Sequence, residues 1–258
     1  MQITSNRNSV LQDIRRATSS GRPTEDGLIV AEGRHLLEEA AIGTWPIERI
    51  IATPEASQRY SRLIARADAP LTEVSDRAFA SAATTETTQG LIALLRPRIY
   101  KWRDLAGNPT LLLVMDGVQD PGNAGTLVRS AEAFGATGIV FLTGCVRVAN
   151  GKFLRATAGS ILKMPFMEGA GLTDLAEFAQ SQNLSLYALT ARGKVGITTA
   201  DLKKPCALVV GSEGAGVSRT LLQSAIEVSI PAPKVESLNA AVACSIALFE
   251  AARQRNTL

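Results

Sequence analysis

Histidine is almost absent from this chain: His35 is the only one in 258 residues. That scarcity excludes multi-histidine metal sites, and a Ser-His-Asp or Cys-His mechanism would have to run through this one residue. His35 stands in "EGRHLLEEA", which has the apolar spacing of an amphipathic helix, so it reads as an exposed or rim residue. Cysteine is nearly as scarce. Cys145, Cys206 and Cys244 are odd in number, far apart, each set in an apolar stretch, and form no C-x-x-C pair. Buried reduced thiols fit that pattern; a disulfide framework or a zinc site does not, and no metal is expected. No segment approaches the roughly 18 consecutive apolar residues of a membrane-spanning helix. The opening "MQITSNRNSVLQDIRRATSS" lacks the apolar stretch of a secretory signal. The expectation is a soluble, cytoplasmic protein with no membrane partner.

Charge is missing in places too. The formal net charge is only +3, and lysine does not occur in residues 1–98, where arginines and acids balance. Between Ala133 and Met167 there is no acid, while Arg147, Lys152, Arg155 and Lys163 are present. Near the start, Arg7, Arg15, Arg16 and Arg22 are opposed only by Asp13. Two basic patches on a nearly neutral chain fit attachment to an anionic polymer at a defined place. Ordinary solvated faces account for the charge pattern alone equally well.

What the chain does contain is alternation. "GLIVAEG" (27–33) reads as a strand and leads into a helix from Arg34 to Ala41. A strand at 47–53, a helix at 55–67 and strands at 71–74 and 90–95 complete a small α/β domain over 1–98. "RPRIYKWRDLAGNP" (96–109) carries prolines, a glycine and mixed charges, and residues 99–109 read as a linker. "TLLLVMDGV" (110–118) and "CALVVGS" (206–212) are continuous apolar runs, the signature of parallel strands buried on both faces. Strands at 138–142, 184–189 and 226–231 are interleaved with helices at 123–134, 150–161, 172–181 and 217–224 and a final helix. A second α/β domain with a mostly parallel sheet is expected over 110–258.

Two glycine-rich turns follow strands. "VVGSEGAGVS" (209–218) has the glycine spacing of a P-loop between Gly211 and Gly216, but Val217 stands where lysine must be. It is also not G-x-G-x-x-G, and Glu213 would face a pyrophosphate with a carboxylate. The loop suits close approach to a ligand that is not strongly anionic. The other turn, "DGVQDPGNAGTLVRSAEAFG" (116–135), places Asn123 as a helix cap. Arg129 follows six residues later, nearly two turns, which is expected to put both near one face. Gly117 and Gly122 do not make a dinucleotide fingerprint, which argues against an NAD-dependent oxidoreductase.

"DPGNAGTLVRSAEAFGA", "LVVGSEGAGVS" and "IPAPKVESLNAAVACSIALFEAARQR" resemble, in order and separation, the three motifs of the SpoU-type (TrmH-family) RNA ribose 2'-O-methyltransferases of the SPOUT superfamily. "VAEGRHLLEEA" and "TTQGLIALL" resemble the small α/β RNA substrate-binding domain found in that family. The resemblance implies a trefoil-knotted C-terminal domain, a homodimer and S-adenosylmethionine as methyl donor. It implies a cofactor pocket made by Gly211, Glu213, Ile230, Pro231, Leu238 and Asn239, with Leu189 and Thr190 adjoining. The small residues of the last helix, Ala240, Ala241, Ala243 and Cys244, would permit close packing there. Arg129 takes the family's catalytic position, where it would bind the 3'-phosphate and stabilise the developing alkoxide. Asn123 and Glu213 would hold this arginine or the ribose, and Ser237 and Asn239 would complete the site. Asn150, Lys152 and Arg155 are candidates for gripping RNA phosphates, beside Arg7, Arg15 and Arg16 of the first basic patch. Thr157, Ala240 and the loop "PAPKVE" depart modestly from the family pattern. The implied substrate is large-subunit rRNA, ahead of tRNA; the rival reading is a non-catalytic RNA-binding SPOUT protein.

Overall fold

The computed structural model describes residues 3–85 and 87–257. The chain forms two compact units, 1–99 with 147–163, and 100–146 with 164–258.

In the first unit α1 (Ser9–Ser20) starts where the Asn8 side chain accepts from the Val10 N–H, and it buries Leu11, Ile14 and Ala17 along one stripe. A four-stranded sheet follows from β1 (Ile29–Glu32), β2 (Ile47–Ala52), β3 (Leu71–Glu73) and β4 (Leu91–Leu95), in the order β1-β4-β2-β3. β4 is antiparallel to both β1 and β2, and β2 is parallel to β3. α2 (Arg34–Ile42), α3 (Pro54–Arg59), α4 (Ser61–Ala67) and α5 (Asp76–Ala80) complete the elements before residue 99. The single helix expected over 55–67 is two, because Tyr60 at φ −107°, ψ 22° breaks it. Leu11, Ile14, Ile51, Phe79 and Ile92 are fully buried in the core.

The second unit is built on seven strands: β5 (Leu111–Asp116), β6 (Gly138–Leu142), β7 (Phe166–Ala170), β8 (Ser185–Leu189), β9 (Val195–Gly196), β10 (Cys206–Gly211) and β11 (Ile226–Ser229). Their order is β7-β6-β5-β10-β8-β11-β9, and each of the described pairings is parallel. The helices are α6 (Pro121–Ala133), α8 (Leu172–Ser181), α9 (Arg219–Leu222) and α10 (Ala240–Gln254); α7 (Gly151–Ala156) belongs to the first unit. Burial is continuous along β10 and along β5 up to Asp116, as their unbroken apolar runs require.

Two segments differ from the sequence expectation. Residues 96–109, read there as linker, are anchored by three side chains: Tyr100 packs against Phe166 with tilted rings and centroids 5.5 Å apart, Trp102 packs against Phe178 at 5.1 Å, and Leu105 is fully buried. Aromatic anchoring overrides the turn-rich composition. Residues 147–163, read with the C-terminal domain, pack into the first unit. There α7 lies on β1, burying Phe153 and Leu154, and Asn150 caps it by accepting from the Lys152 and Phe153 N–H groups. The helix expected over 150–161 stops at Ala156, because Ala158 and Gly159 take φ of 48° and 89°. A β-carbon at Gly159 would collide with the Glu39 side chain.

α10 explains its own composition. Ala241, Cys244, Ala247, Ala251 and Ala252 are buried where the helix lies on β10 and α6, and Ser245 meets Ser130 at 2.7 Å. Burial pushes the Cys244 thiol up to about 12 and the Cys206 thiol up to about 11. Beyond the helix, the Arg255 guanidinium donates to the carbonyls of Leu202, Pro109, Thr110 and Lys204, fixing the helix end to the sheet's starting edge. Among the described residues, no helix is long and apolar enough to cross a membrane.

Candidate active site

Strand order in the larger sheet reverses between β5 and β10: β6 and β7 lie outward from β5, and β8, β11 and β9 outward from β10. Asp116 and Gly211, the last residues of β5 and β10, are register partners. A crevice is expected beyond the carboxyl ends of strands near such a reversal, and a cavity of about 780 Å³ opens on the β10 side of it, at the ends of β10, β8 and β11. Leu189 and Thr190 at the end of β8, Gly211 at the end of β10 and Glu213 just after it, and Ile230 and Pro231 after β11 line it. Leu238 and Asn239, at the mouth of α10, close it, and Ser237 lies beside them. The pocket residues inferred from sequence are thus brought together. Ser212 and Glu236 also line the cavity and were not singled out from sequence.

The glycine loop has an internal reason for its composition. Gly216, at φ 65°, turns back so that its N–H donates to the Ser212 carbonyl, 2.8 Å away. A β-carbon at Gly211 would collide with the backbone of Gly216 and Val217. Gly211 therefore lacks a side chain because the loop folds over it. Asp116 holds the far end by accepting from the Ser218 N–H at 2.7 Å.

At the rim, three polar side chains meet. Asn239 donates to the Asn123 side-chain oxygen at 3.2 Å and to Glu213 at 3.3 Å, and Asn123 donates to the same Glu213 oxygen. Each is set by its element. Asp120 caps α6 by accepting from the Asn123 N–H at 2.7 Å, and the Asn239 oxygen caps α10 through the Ala241 and Val242 N–H groups. The cap of α6 is thus Asp120, and Asn123 is free to reach across to Glu213.

Arg129 is not part of this cluster. It is exposed on α6, does not line the cavity, and forms no hydrogen bond or ion pair among the described residues. Six residues at about 100° each sweep about 600°, leaving Arg129 about 120° around the helix from Asn123. The expectation that the spacing puts both on one face is corrected by that arithmetic.

The RNA-contact candidates all lie in the first unit. Arg7 is exposed, Arg15 donates to the Ser81 carbonyl at 2.7 Å, and Arg16 pairs with Glu25 at 2.7 Å. The first basic patch is therefore partly neutralised by its own surroundings. Asn150 caps α7, Lys152 is exposed, and Arg155 donates to the Thr84 hydroxyl at 3.2 Å. His35 is at a rim, its side chain 61% exposed. Among the described residues, no group of three or more His, Cys, Asp or Glu side chains is arranged to hold a metal ion.

The profile of the SpoU rRNA Methylase family matches residues 110–249, the segment that carries the large sheet and crevice. That of the MRM3-like substrate binding domain matches residues 18–93. An uncharacterized tRNA/rRNA methyltransferase of Synechocystis sp. is 33% identical over 258 residues, covering 98% of this chain and 94% of the relative. The 23S rRNA (guanosine(2553)-2'-O)-methyltransferase RlmP of Bacillus subtilis is 28% identical, covering 96% of this chain and 98% of the relative. The AdoMet-bound rRNA methyltransferase of Sinorhizobium meliloti, a crystal structure, superposes with a TM-score of 0.82 at 29% identity, covering 98% and 97% of the two chains. With the family matched over more than half its length, and a relative aligned end to end, this chain belongs to the SpoU rRNA methylase family.

Proposed function

We propose that the protein methylates RNA on a ribose 2'-hydroxyl with S-adenosylmethionine as donor, and that large-subunit rRNA is the substrate, ahead of tRNA. The observation that carries this reading is the crevice at the ends of β8, β10 and β11 with the Asn123–Glu213–Asn239 cluster at its rim. The names of the B. subtilis and S. meliloti relatives support the substrate and the donor.

The residues fit the donor. The cavity volume lies within the range of small-molecule sites, and Leu189, Ile230 and Leu238 give it apolar walls for an adenine. Glu213 and Glu236 on its lining suit a ligand with cationic groups and disfavour a polyphosphate. When bound, the donor supplies an electrophilic methyl on a sulfonium whose leaving group is neutral. What remains for the protein is alignment of the 2'-oxygen for in-line attack and help in removing its proton. Asn123 and Asn239, tied to one carboxylate, would orient a ribose at the rim. Arg129 is assigned the 3'-phosphate and the charge developing on the 2'-oxygen; guanidinium geometry suits a bidentate phosphate contact, and its basicity makes it a poor proton acceptor.

A homodimer is part of the proposal. Val242, Ile246 and Phe249 are 48%, 38% and 44% exposed at helical spacing on α10, an apolar stripe that a second copy of the chain would cover. α6 packs on α10 and leaves Arg129 exposed as well. Ile246→Glu is expected to convert a dimer to a monomer in sedimentation velocity. A wild-type monomer, or a dimer untouched by the substitution, would remove this part of the proposal.

The reaction is tested with radiolabelled S-adenosylmethionine and protein-stripped rRNA and tRNA offered separately. Label in rRNA recovered as an alkali-resistant dinucleotide is the expected result. Label on a base, or none despite donor binding in calorimetry, overturns it.

A further inference from the structure

A second, smaller cavity of about 320 Å³ lies wholly in the first unit, where β1 runs into α2. We propose that it takes one unstacked nucleobase of the RNA substrate, while the arginine-lined surface beside it holds neighbouring phosphates. This rests on the RNA-methylating reading given above and adds to it where and how the substrate is read.

The floor is Glu32, 6% exposed. Its carboxylate accepts from the Thr84 N–H at 2.7 Å, the Thr84 hydroxyl at 2.6 Å and the Thr85 hydroxyl at 2.5 Å. Burial raises its pKa, but hydrogen bonding by Thr84, Thr85 and Thr88 together more than offsets that and holds it below the usual carboxylate value. The floor is therefore a fixed negative charge, which disfavours a phosphate inside. Leu36 supplies an apolar wall. Gly33, at φ 107°, turns the chain into α2 and has no side chain to cap it. Gln89 does so instead, its side-chain oxygen accepting from the Arg34 N–H at 2.7 Å, while its NH₂ has no partner among the described residues. Arg155 donates to the same Thr84 hydroxyl that donates to Glu32, so the acid holds the guanidinium through Thr84. His35 completes the rim.

Amide, guanidinium and imidazole edges around an apolar wall suit a flat, uncharged heterocycle. The volume is at the low end of small-molecule sites, far too small for a duplex, and sequence-specific reading of RNA works on unstacked bases. Arg34 adjoins His35 and belongs to a surface groove with Arg59, Tyr60 and Arg62. Arg34 and Arg59 pair with Glu38 and Glu55, whereas Arg62 forms no ion pair among the described residues. A groove tracking the backbone next to a base-sized recess is the arrangement of single-strand binders.

The test uses the full chain with fluorescein-labelled hexaadenylate, hexacytidylate and hexauridylate, a blunt RNA duplex, and rRNA carrying 4-thiouridine for crosslinking. Arg155→Ala and Gln89→Glu (which keeps the oxygen that caps α2) are expected to weaken hexamer binding by about ten-fold or more, by amounts that differ among the bases. Donor binding and melting temperature stay as in the wild type, and crosslinks map to peptides carrying His35 or Gln89. Wild-type hexamer affinity in both variants, with the wild type still methylating RNA, overturns the pocket alone. So does a loss that is equal for every hexamer and the duplex with no crosslink at the cavity, since it marks a phosphate contact. A wild type that binds donor but no RNA overturns both this inference and the reading beneath it.

Discussion

Replacing Arg129 by alanine is expected, on the role proposed for it, to lower the methyl-transfer rate by about two to three orders of magnitude, the usual cost of removing one donor from a developing oxyanion. Stability should hardly move. Arg129 is exposed and makes no hydrogen bond or ion pair among the described residues, and such surface changes stay within about 0.5 kcal/mol. Donor affinity should also be unchanged, because Arg129 does not line the cavity. Single-turnover kinetics on rRNA, with calorimetry of donor binding and a thermal melt, separates these three quantities. Arg129→Lys keeps the charge and loses the planar fork, so it should recover only a small part of the rate. Near-normal turnover in the alanine variant would end the assignment of Arg129 to the chemistry. Near-normal turnover in the lysine variant alone would reduce its role to that of a point charge.

How far these expectations were legible in the sequence depends on the range of the forces involved. β5 and β10 could be read directly, since a parallel strand covered on both faces must be apolar at every position, and Leu111 to Met115 and Cys206 to Val210 are all buried. Apart from the glycine loop with Gly211 and Glu213, the cavity residues were legible only through the resemblance to a family. Nothing local in "VESLNA" says that Leu238 and Asn239 meet Gly211 and Glu213. Contacts formed at long range were misread or missed. The segment 147–163 looked like a continuation of the domain around it, yet Phe153 and Leu154 are buried in the first unit, which residues 1–99 otherwise form. The 96–109 stretch had the composition of a linker, and its aromatic pair, Tyr100 and Trp102, was the signal that it packs. α1 is legible in principle from Asn8 as a cap and from Leu11, Ile14 and Ala17 on one stripe, a pattern interrupted by Arg15 and Arg16. The recess around Glu32 left only a faint trace, an acid closing an apolar strand just before glycine, because its other parts are contributed by Thr84, Thr85, Thr87, Gln89 and Arg155.

The second large effect is expected at Gly211, where the substitution to alanine adds one carbon and no charge. That carbon would collide with the backbone of Gly216 and Val217, which cannot rotate away as a side chain does. Overpacking of this kind costs about 1–3 kcal/mol, and the cheapest relief is for the 212–218 loop to lift. Lifting would break the Ser212–Gly216 turn and pull Glu213 from Asn123 and Asn239, so the cavity wall and the rim cluster would fail together. Gly211→Ala should therefore weaken S-adenosylmethionine binding by about ten-fold or more in calorimetry, about 1.4 kcal/mol for each factor of ten, together with a lower melting temperature. Gly214→Ala is the matched control. It lies three residues on in the same loop, has no atom within 4 Å of its added carbon, and does not share the positive φ of Gly216. It should bind and melt as the wild type does. If the two alanine variants behave alike, the loop is held by something other than its closure over Gly211. If only Gly211→Ala fails, that glycine is required by the fold of the loop before it is required by any ligand.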